Sequence, residues 1–244
     1  MTHRLAFLTG LATLLLLWSF AAHKSLPAIL PGPLTVAMAL VQIVTDPAFW
    51  TGTLVPSIGR ASAGLALAFT VGAPLGLAGW RWPIVSALLA PLRLLLMGVP
   101  APILAILCIL WFDGGATTTV LTVATLLLPV FQIAIAEGMS AIDAQLREMA
   151  HLFRVSLMRR LHRIALPALW TALAPALRIA VANAIRVTLL TELLSGTEGL
   201  GAAVQRAQSW LQTDRLFALV IVILALIGLA EAGLATLTHT RSRP

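Results

Sequence analysis

Six long apolar segments constrain the fold of this chain more than any other feature. A helix needs about 20 mostly apolar residues to cross about 30 Å of hydrocarbon. The segments of about that length are 5–22, 61–80, 94–112, 117–136, 168–190 and 216–235. Of the 244 residues, 59% are hydrophobic and only 10% are charged, too few charges to wet the surface of a soluble domain. The sequence therefore predicts an all-α membrane protein with six transmembrane helices, forming one domain over residues 1–244.

The first apolar segment has two interpretations. It follows a short basic start at His3 and Arg4, as a signal peptide would, and Ser19-Phe20-Ala21 resembles a poor cleavage site. Its 18 residues exceed the 7–15 residues usual for the apolar part of a signal peptide. We therefore expect an uncleaved membrane anchor.

The distribution of basic residues predicts the orientation. With the N-terminus in the cytoplasm, ten arginines fall in cytoplasmic segments, whereas only Lys24, Arg60, Arg206 and Arg215 fall on the opposite side. This asymmetry follows the positive-inside rule. We expect both termini in the cytoplasm of a bacterial inner membrane. The net charge of +7 then reflects topology, and no nucleic-acid partner is needed to explain it.

Glycine and proline positions add local detail. Gly64, Ala68, Gly72 and Gly76 stand four residues apart in the second segment, and small residues on one helix face let another backbone approach closely. Such a face serves either helix packing or a surface near a pathway, and packing is the simpler explanation. Proline at positions 100 and 102 predicts a kink in the third segment.

Two segments outside the spans also have helical character. Residues 26–60 hold two short amphipathic stretches separated by Asp46-Pro47. Since proline ends and restarts helices, the sequence predicts two short helices here. Residues 205–211 predict a short amphipathic helix.

Catalytic motifs are missing from the sequence. Lys24 is the single lysine and follows Ala-Ala-His, so no glycine-rich phosphate loop ending in Gly-Lys-Ser/Thr exists. No His-Glu-x-x-His, Gly-x-Ser-x-Gly or Cys-x-x-Cys occurs either. We predict that the chain is not an enzyme, holds no cofactor or metal, and depends on a partner for energy.

The polar segment 137–167 carries the clearest functional pattern. Apolar residues recur every three or four positions, at Leu146, Met149, Ala150, Phe153 and Leu157. This spacing predicts an amphipathic helix over 148–160 that inserts into a groove of a soluble partner. A helix lying on the membrane surface with snorkelling arginines is the alternative.

The same segment resembles a known family. Glu148, Ala150, Ile164, Leu166 and Pro167 match the spacing of the "EAA" loop in permease subunits of bacterial binding-protein-dependent ABC importers. That resemblance implies a coupling helix that docks on a cytoplasmic ATPase. The implied coupling residues are Glu148, Ala150, Phe153, Arg154, Ile164, Leu166 and Pro167. Arg154 stands where the family has glycine, so either the turn is remodelled or Arg154 contacts the ATPase.

Further motifs narrow the resemblance to permeases of the nitrate/sulfonate/taurine type. They are Leu30–Val36, Ser57–Gly64, Ile109–Gly115, Leu177-Arg178, Thr191–Leu193, Gly199–Gly201 and Thr213-Asp214. The resemblance implies the fold of type I importer permeases (MetI-like). It also implies a homodimer of permease subunits, two ATPase subunits and a periplasmic solute-binding protein. A sulfonate, taurine, nitrate or a related small anion is the expected solute.

Polar residues within the fifth segment are candidates for the pathway: Arg178, Asn183, Arg186 and Glu192. An arginine at mid-membrane is costly, so it is expected to face a cavity or a partner. Our hypothesis is that Arg186 lines the pathway and favours an anion. The alternative is that Arg186 snorkels to the interface or pairs with Glu192.

Three alternative functions stay open at this stage. An ion-gradient-driven carrier would need intramembrane carboxylates, for which only Glu192 and Glu231 are candidates. A membrane enzyme would need a catalytic constellation that we do not find. An ABC permease for a neutral vitamin precursor would share every feature of the coupling loop.

Overall fold

All regular structure in the described part of the chain is helical. The computed structural model describes residues 2–26, 28–196 and 198–239. Its helices are α1 (Thr2–Lys24), α2 (Pro33–Thr45), α3 (Pro47–Arg81), α4 (Pro83–Gly98), α5 (Ala101–Phe112), α6 (Gly115–Ser140), α7 (Ala144–Leu152), α8 (Leu157–Ser195), α9 (Leu200–Ser209) and α10 (Thr213–His239). The predicted all-α class is confirmed.

Five helices of the described chain are long and apolar enough to cross a membrane: α1, α3, α6, α8 and α10. A sixth span results if α4 and α5 together count as one. The kink predicted at Pro100 in the third segment is present, and it separates α4 from α5, which meet at an angle of 103°. Val99 is extended, with φ −75° and ψ 124°, as expected for a residue before proline, and Pro100 offers no N–H to continue the helix.

The helices α3 and α8 are longer than the predicted spans, because they begin at Pro47 and Leu157 rather than near residues 61 and 168. Each contains one π-helical turn, at Trp50–Leu54 and at Leu161–Ala165. Each turn ends two residues before a proline, Pro56 or Pro167. A proline ring clashes with the carbonyl four residues earlier, and the wider turn gives that ring room. The second amphipathic stretch of 26–60 thus belongs to α3.

The core of the molecule is formed by α3, α6 and α8. Gly64 of α3 lies against Val123 of α6, and Gly76 lies against the backbone at Gln132, so α3 and α6 run parallel. Phe131 and Val123 of α6 also pack on Ala180 and Ala184 of the antiparallel α8. The ladder of small residues predicted on α3 is therefore a packing face inside the chain.

A second apolar cluster lies where α3 begins and α8 ends. It joins α2, α9 and the first part of α10 to Phe49 and Leu54 of α3. The short helix predicted over 205–211 begins earlier, at Leu200, and ends at Ser209. This cluster surrounds one end of α8 and leaves the other end for the coupling segment.

Candidate functional site

The predicted coupling helix is shorter than expected. Asp143 caps α7, and its carboxylate accepts the N–H of Gln145 at 2.8 Å. The helix stops at Leu152, and α8 begins only at Leu157. The prediction of one helix over 148–160 is therefore wrong, since residues 153–156 form a turn between two helices.

The turn reverses at the backbone of Arg154. Its backbone is left-handed, with φ 47°. The N–H of Arg154 donates to the carbonyl of His151 at 3.0 Å, and the N–H of Val155 donates to that of Ala150 at 3.0 Å. This pair of hydrogen bonds is the Schellman motif that ends helices. The glycine-type turn is thus kept despite the arginine, although a left-handed residue with a side chain costs about 1–2 kcal/mol.

Large apolar side chains are exposed on either side of this turn. Leu152 is 78% exposed and Phe153 is 77% exposed, and Met149 and Met158 lie open beside them. We call these four residues the coupling surface. Leu157, which the sequence placed on the same strip, lies beyond the turn at the mouth of a cavity near Trp80.

The other predicted coupling residues have different surroundings. Ala150 is buried against the protein, whereas Glu148 is exposed beside the coupling surface. Ile164 is half-buried in the π turn of α8, and Leu166 and Pro167 follow it as the turn becomes α-helix. Ala150 and Ile164 therefore pack against the protein, whereas Glu148, Leu166 and Pro167 are exposed.

Two of the predicted pathway residues lie on the outside of α8. Arg178 and Arg186 are exposed, and Asn183 is half-buried. The Nη1 of Arg186 donates to the Oδ1 of Asn183 at 3.4 Å. Within the described chain, neither arginine has an acidic partner.

Glu192, the fourth predicted pathway residue, is buried in a polar cluster. Its side chain is only 1% exposed and pairs with Arg60 at 2.9 Å. The Ser57 hydroxyl lies 2.7 and 2.9 Å from the two carboxylate oxygens, and the Gly201 N–H donates to Oε2 at 3.1 Å. Glu192 therefore has no open surface toward a pathway in this chain, and the predicted alternative of an Arg186–Glu192 pair is wrong.

The loop that closes on Glu192 depends on glycine. Gly199 has φ +101°, and a Cβ there would collide with the Glu192 carboxylate. The following residue, Leu200, donates its N–H to the Ser57 hydroxyl at 2.8 Å. We call Ser57, Arg60, Glu192, Gly199 and Gly201 the carboxylate clasp.

Arg60 is the functional residue that the sequence interpretation missed. It is about nine-tenths buried, with a side-chain exposure of 10%, and it also donates to the Glu198 carbonyl at 2.8 Å. Ser57 and Arg60 belong to one motif of the resembling family, and Glu192 and Gly199 belong to two others. The presence of all these motifs in one chain was the signal that could have indicated a shared site. The motifs lie far apart in the sequence, so their contact could not be inferred from it.

A single helix connects the two features. The 39 residues of α8 extend for about 60 Å at 1.5 Å per residue, from the turn beside the coupling surface to the clasp. In the described ranges, no three His, Cys, Asp or Glu side chains are grouped so that they could hold a metal ion. The arrangement consists of one long helix with an exposed apolar surface at one end and a buried ion pair at the other.

Comparison with known proteins supports this arrangement. Residues 68–241 match the family described as "binding-protein-dependent transport system inner membrane component". The taurine transport system permease protein TauC of Escherichia coli (strain K12) is 31% identical over 234 residues, which cover 93% of this chain and 85% of that protein. Because taurine is a sulfonate, this relative confirms the predicted branch of the family.

Other similar proteins confirm the fold and widen the range of solutes. The formylaminopyrimidine transport permease protein ThiX of Halalkalibacterium halodurans is 27% identical over 88% of this chain and 86% of that protein. An inward-facing crystal structure of the methionine ABC transporter MetNI matches with a TM-score of 0.65 and 14% identity, covering 82% of this chain and all of that chain. The chain is a transport subunit rather than an enzyme, and it belongs to the family of inner membrane components of binding-protein-dependent ABC importers.

Proposed function

We propose that the segment 144–167 is the coupling element of the importer and binds a cytoplasmic ATPase through the coupling surface. The observation that carries this proposal is the exposure of Leu152 and Phe153 on a polar segment that lies outside the spans. Large apolar side chains grouped on a surface mark a binding site. Arg154, Arg159 and Arg163 are exposed in the same segment, and their positive charge favours an acidic rim on the partner.

The proposed orientation places both termini in the cytoplasm. It is supported by the ten-to-four excess of basic residues on that side. In this orientation, the coupling surface lies in the cytoplasm. The carboxylate clasp and the apolar cluster of α2, α9 and α10 then lie at the periplasmic side, where a solute-binding protein would deliver its cargo.

We also propose a homodimer with the pathway between the two copies. Arg178 and Arg186 support this arrangement because both are exposed on α8 without an acidic partner in the described chain. Exposure of two arginines to lipid is unfavourable, whereas a water-filled pathway or a second copy would solvate them. The transported solute is proposed to be a small anion such as a sulfonate, taurine or nitrate.

In the proposed mechanism, closure of the ATPases moves α7 and the first turns of α8. Because α8 is continuous from Leu157 to Ser195, the movement is passed along the helix to the carboxylate clasp. The clasp ties the far end of α8 to α3 and α9, so the three elements move together. This rigid-body motion switches access to the pathway from one side of the membrane to the other.

The docking role is tested by co-expression with the cytoplasmic ATPase of the same importer. We expect Glu148→Arg or deletion of residues 148–160 to abolish co-purification of the ATPase. Membrane insertion and the oligomeric mass in detergent serve as controls for folding. An ATPase that co-purifies undiminished with the deletion variant would contradict the docking role.

The anion preference is tested at Arg186. We expect Arg186→Leu to lower the uptake of an anionic solute such as taurine by at least about tenfold, which corresponds to the loss of one charge interaction of about 1.4 kcal/mol. ATPase co-purification should stay unchanged. Unaltered taurine uptake in this variant would contradict the placement of Arg186 in the pathway.

A neutral solute is the second candidate, because the relative from Halalkalibacterium halodurans is named for a pyrimidine. A thermal-shift screen of the associated binding protein, with sulfonates and with pyrimidines, separates the two classes. The alternative function of an ion-gradient-driven carrier is not supported. Glu192 is paired with Arg60 in the clasp, and the family is one of binding-protein-dependent importers.

A further inference from the structure

A cavity of about 270 Å³ lies beside the coupling segment, at the end of the core helices. Its walls are mostly apolar and include Trp80 at the end of α3, Met139 at the end of α6, and Leu161 and Ile164 in the π turn of α8. Because these residues stand where three spans end, the cavity opens at the boundary between hydrocarbon and water. Trp80 is of the residue type that prefers this boundary.

Two arginines line the same cavity. Arg147 of α7 and Arg160 of α8 border it, and both are half-buried. Neither forms an ion pair with any described residue, since both ion pairs found there belong to Arg60. A partly buried arginine without an ionic partner is less well compensated than a fully solvated one, so this pair of charges favours binding of an anion from outside the chain.

The combination of apolar walls and two free guanidiniums restricts the ligand. The anion has to carry an apolar body, because most of the lining cannot hydrogen-bond. Arginine presents a planar fork of donors that suits phosphate oxygens. A basic pocket between helices at the membrane surface is a known form of anionic-lipid site.

We propose that this cavity binds an anionic phospholipid, such as phosphatidylglycerol. Arg147 and Arg160 hold the phosphate, and part of one acyl chain lies against Trp80, Leu161 and Ile164. The lipid rests against both α7 and the π turn of α8, so its presence fixes the angle of the coupling segment. Assignment to the cytoplasmic leaflet rests on the proposed orientation, whereas the binding itself does not.

The test uses the purified full chain in neutral detergent with brominated lipids, which quench nearby tryptophan. The signal of Trp80 is the difference between this chain and the Trp80→Phe variant. We expect brominated phosphatidylglycerol to quench that signal at a concentration at least about tenfold lower than brominated phosphatidylcholine does. Equal quenching by the two lipids would mean unselective annular lipid and would overturn the proposal.

Variants separate the site from its surroundings. The double variant Arg147→Gln/Arg160→Gln should remove the preference for phosphatidylglycerol, since each basic residue near an anionic lipid contributes about tenfold or less to binding. Arg159→Gln is the matched control, because Arg159 is exposed and lies outside the cavity lining. Preference retained in the double variant, or lost equally in the control, would overturn the proposal.

A further variant guards against misfolding of the double variant. Ala165 also lines the cavity, so Ala165→Phe fills it without removing charge. We expect this variant to abolish the selective quenching. Unchanged selectivity in Ala165→Phe would place the lipid elsewhere. Repeating the measurement with the ATPase bound identifies a competing occupant: quenching that disappears on addition of ATPase would assign the cavity to that protein instead. Failure of ATPase binding itself would show only in co-purification and leaves the lipid result intact.

Discussion

At the scale of single residues, three residues other than glycine have a left-handed backbone conformation in the described chain: Asp113, Arg154 and Leu211. Each follows the end of a helix, α5, α7 or α9. After α7 and α9, the same pair of backbone hydrogen bonds closes the turn. Helix termination therefore imposes the conformation at Arg154 and Leu211, and the chain bears the steric cost of a side chain there.

Arg154 allows this cost to be measured. We expect Arg154→Gly to be about 0.5–1 kcal/mol more stable than Arg154→Ala, because both lose the charge but only alanine keeps the left-handed strain. The free energy of unfolding in mixed detergent micelles is the measurement. Equal stability of the two variants would contradict the left-handed turn. A loss of ATPase binding shared by both would show that the Arg154 charge contacts the partner.

The carboxylate clasp is the other feature of the residue scale. We expect Glu192→Gln to destabilise the protein by about 3–5 kcal/mol, because the change leaves the Arg60 guanidinium buried without its main partner. Thermal unfolding of the purified protein measures the effect. Glu198→Gln is the matched control: Glu198 also contacts Arg60 but is 73% exposed, so its loss should cost about 0–1 kcal/mol.

A double variant checks that Arg60 and Glu192 act together. Arg60→Gln/Glu192→Gln should be less destabilised than the sum of the two single variants, because no uncompensated buried charge remains. Strict additivity would mean that the two side chains are independent and would contradict the clasp.

The carboxylate clasp could be predicted from the sequence only in part. The charge and position of Glu192 marked it as unusual, and its burial could be anticipated from its place near the end of a span. Its partners could not be identified, because Ser57 is 135 positions away and no periodicity relates α3 to α8. The assignment to the pathway failed for that reason.

At the scale of elements, the contact of α3 with α6 determines the core. A Cβ at Gly72 would lie 2.7 Å from the Leu128 carbonyl oxygen and 3.2 Å from the Phe131 Cβ. Both are fixed by α6, so the two helices would have to separate. The small-residue ladder was predictable because its spacing of four is a local property of one helix.

This contact predicts the effect of one added methyl group. We expect Gly72→Ala to destabilise the protein by about 1–3 kcal/mol through overpacking. Gly59→Ala lies in the same helix with nothing within 4 Å of the added Cβ, so it should be neutral or stabilise by up to about 1 kcal/mol. The measurement is the free energy of unfolding of both variants under the same conditions. Equal values for the two variants would contradict the close packing of α3 on α6 at Gly72.

The bend between α4 and α5 could be foreseen in position but not in size. Pro100 indicated a kink, yet apolar residues continue on both sides of it, so hydropathy alone joined them into one span. The angle of 103° also depends on the packing of Leu104 and Cys108, which are buried in α5. Such tertiary contacts leave no period in the sequence.

At the scale of the whole molecule, α8 links the coupling segment to the far side of the protein. Composition and charge were enough to predict the class of the fold, because the membrane admits few solutions for a chain this apolar. The division of the coupling region into two helices could not be predicted, since its apolar spacing continues through the turn at Arg154. The exposed pair at that turn is where the partner is expected.

The most direct measurement of the central claim is the affinity of the purified ATPase for this chain in lipid nanodiscs. We expect Phe153→Asp to weaken binding by at least about 2 kcal/mol, roughly 30-fold, as for an apolar anchor at an interface. Leu211→Asp is the matched control, since Leu211 is 75% exposed in the same kind of turn at the opposite end of the molecule. It should bind like the unaltered chain. An unchanged affinity in Phe153→Asp, or an equal loss in Leu211→Asp, would contradict the coupling role of this segment.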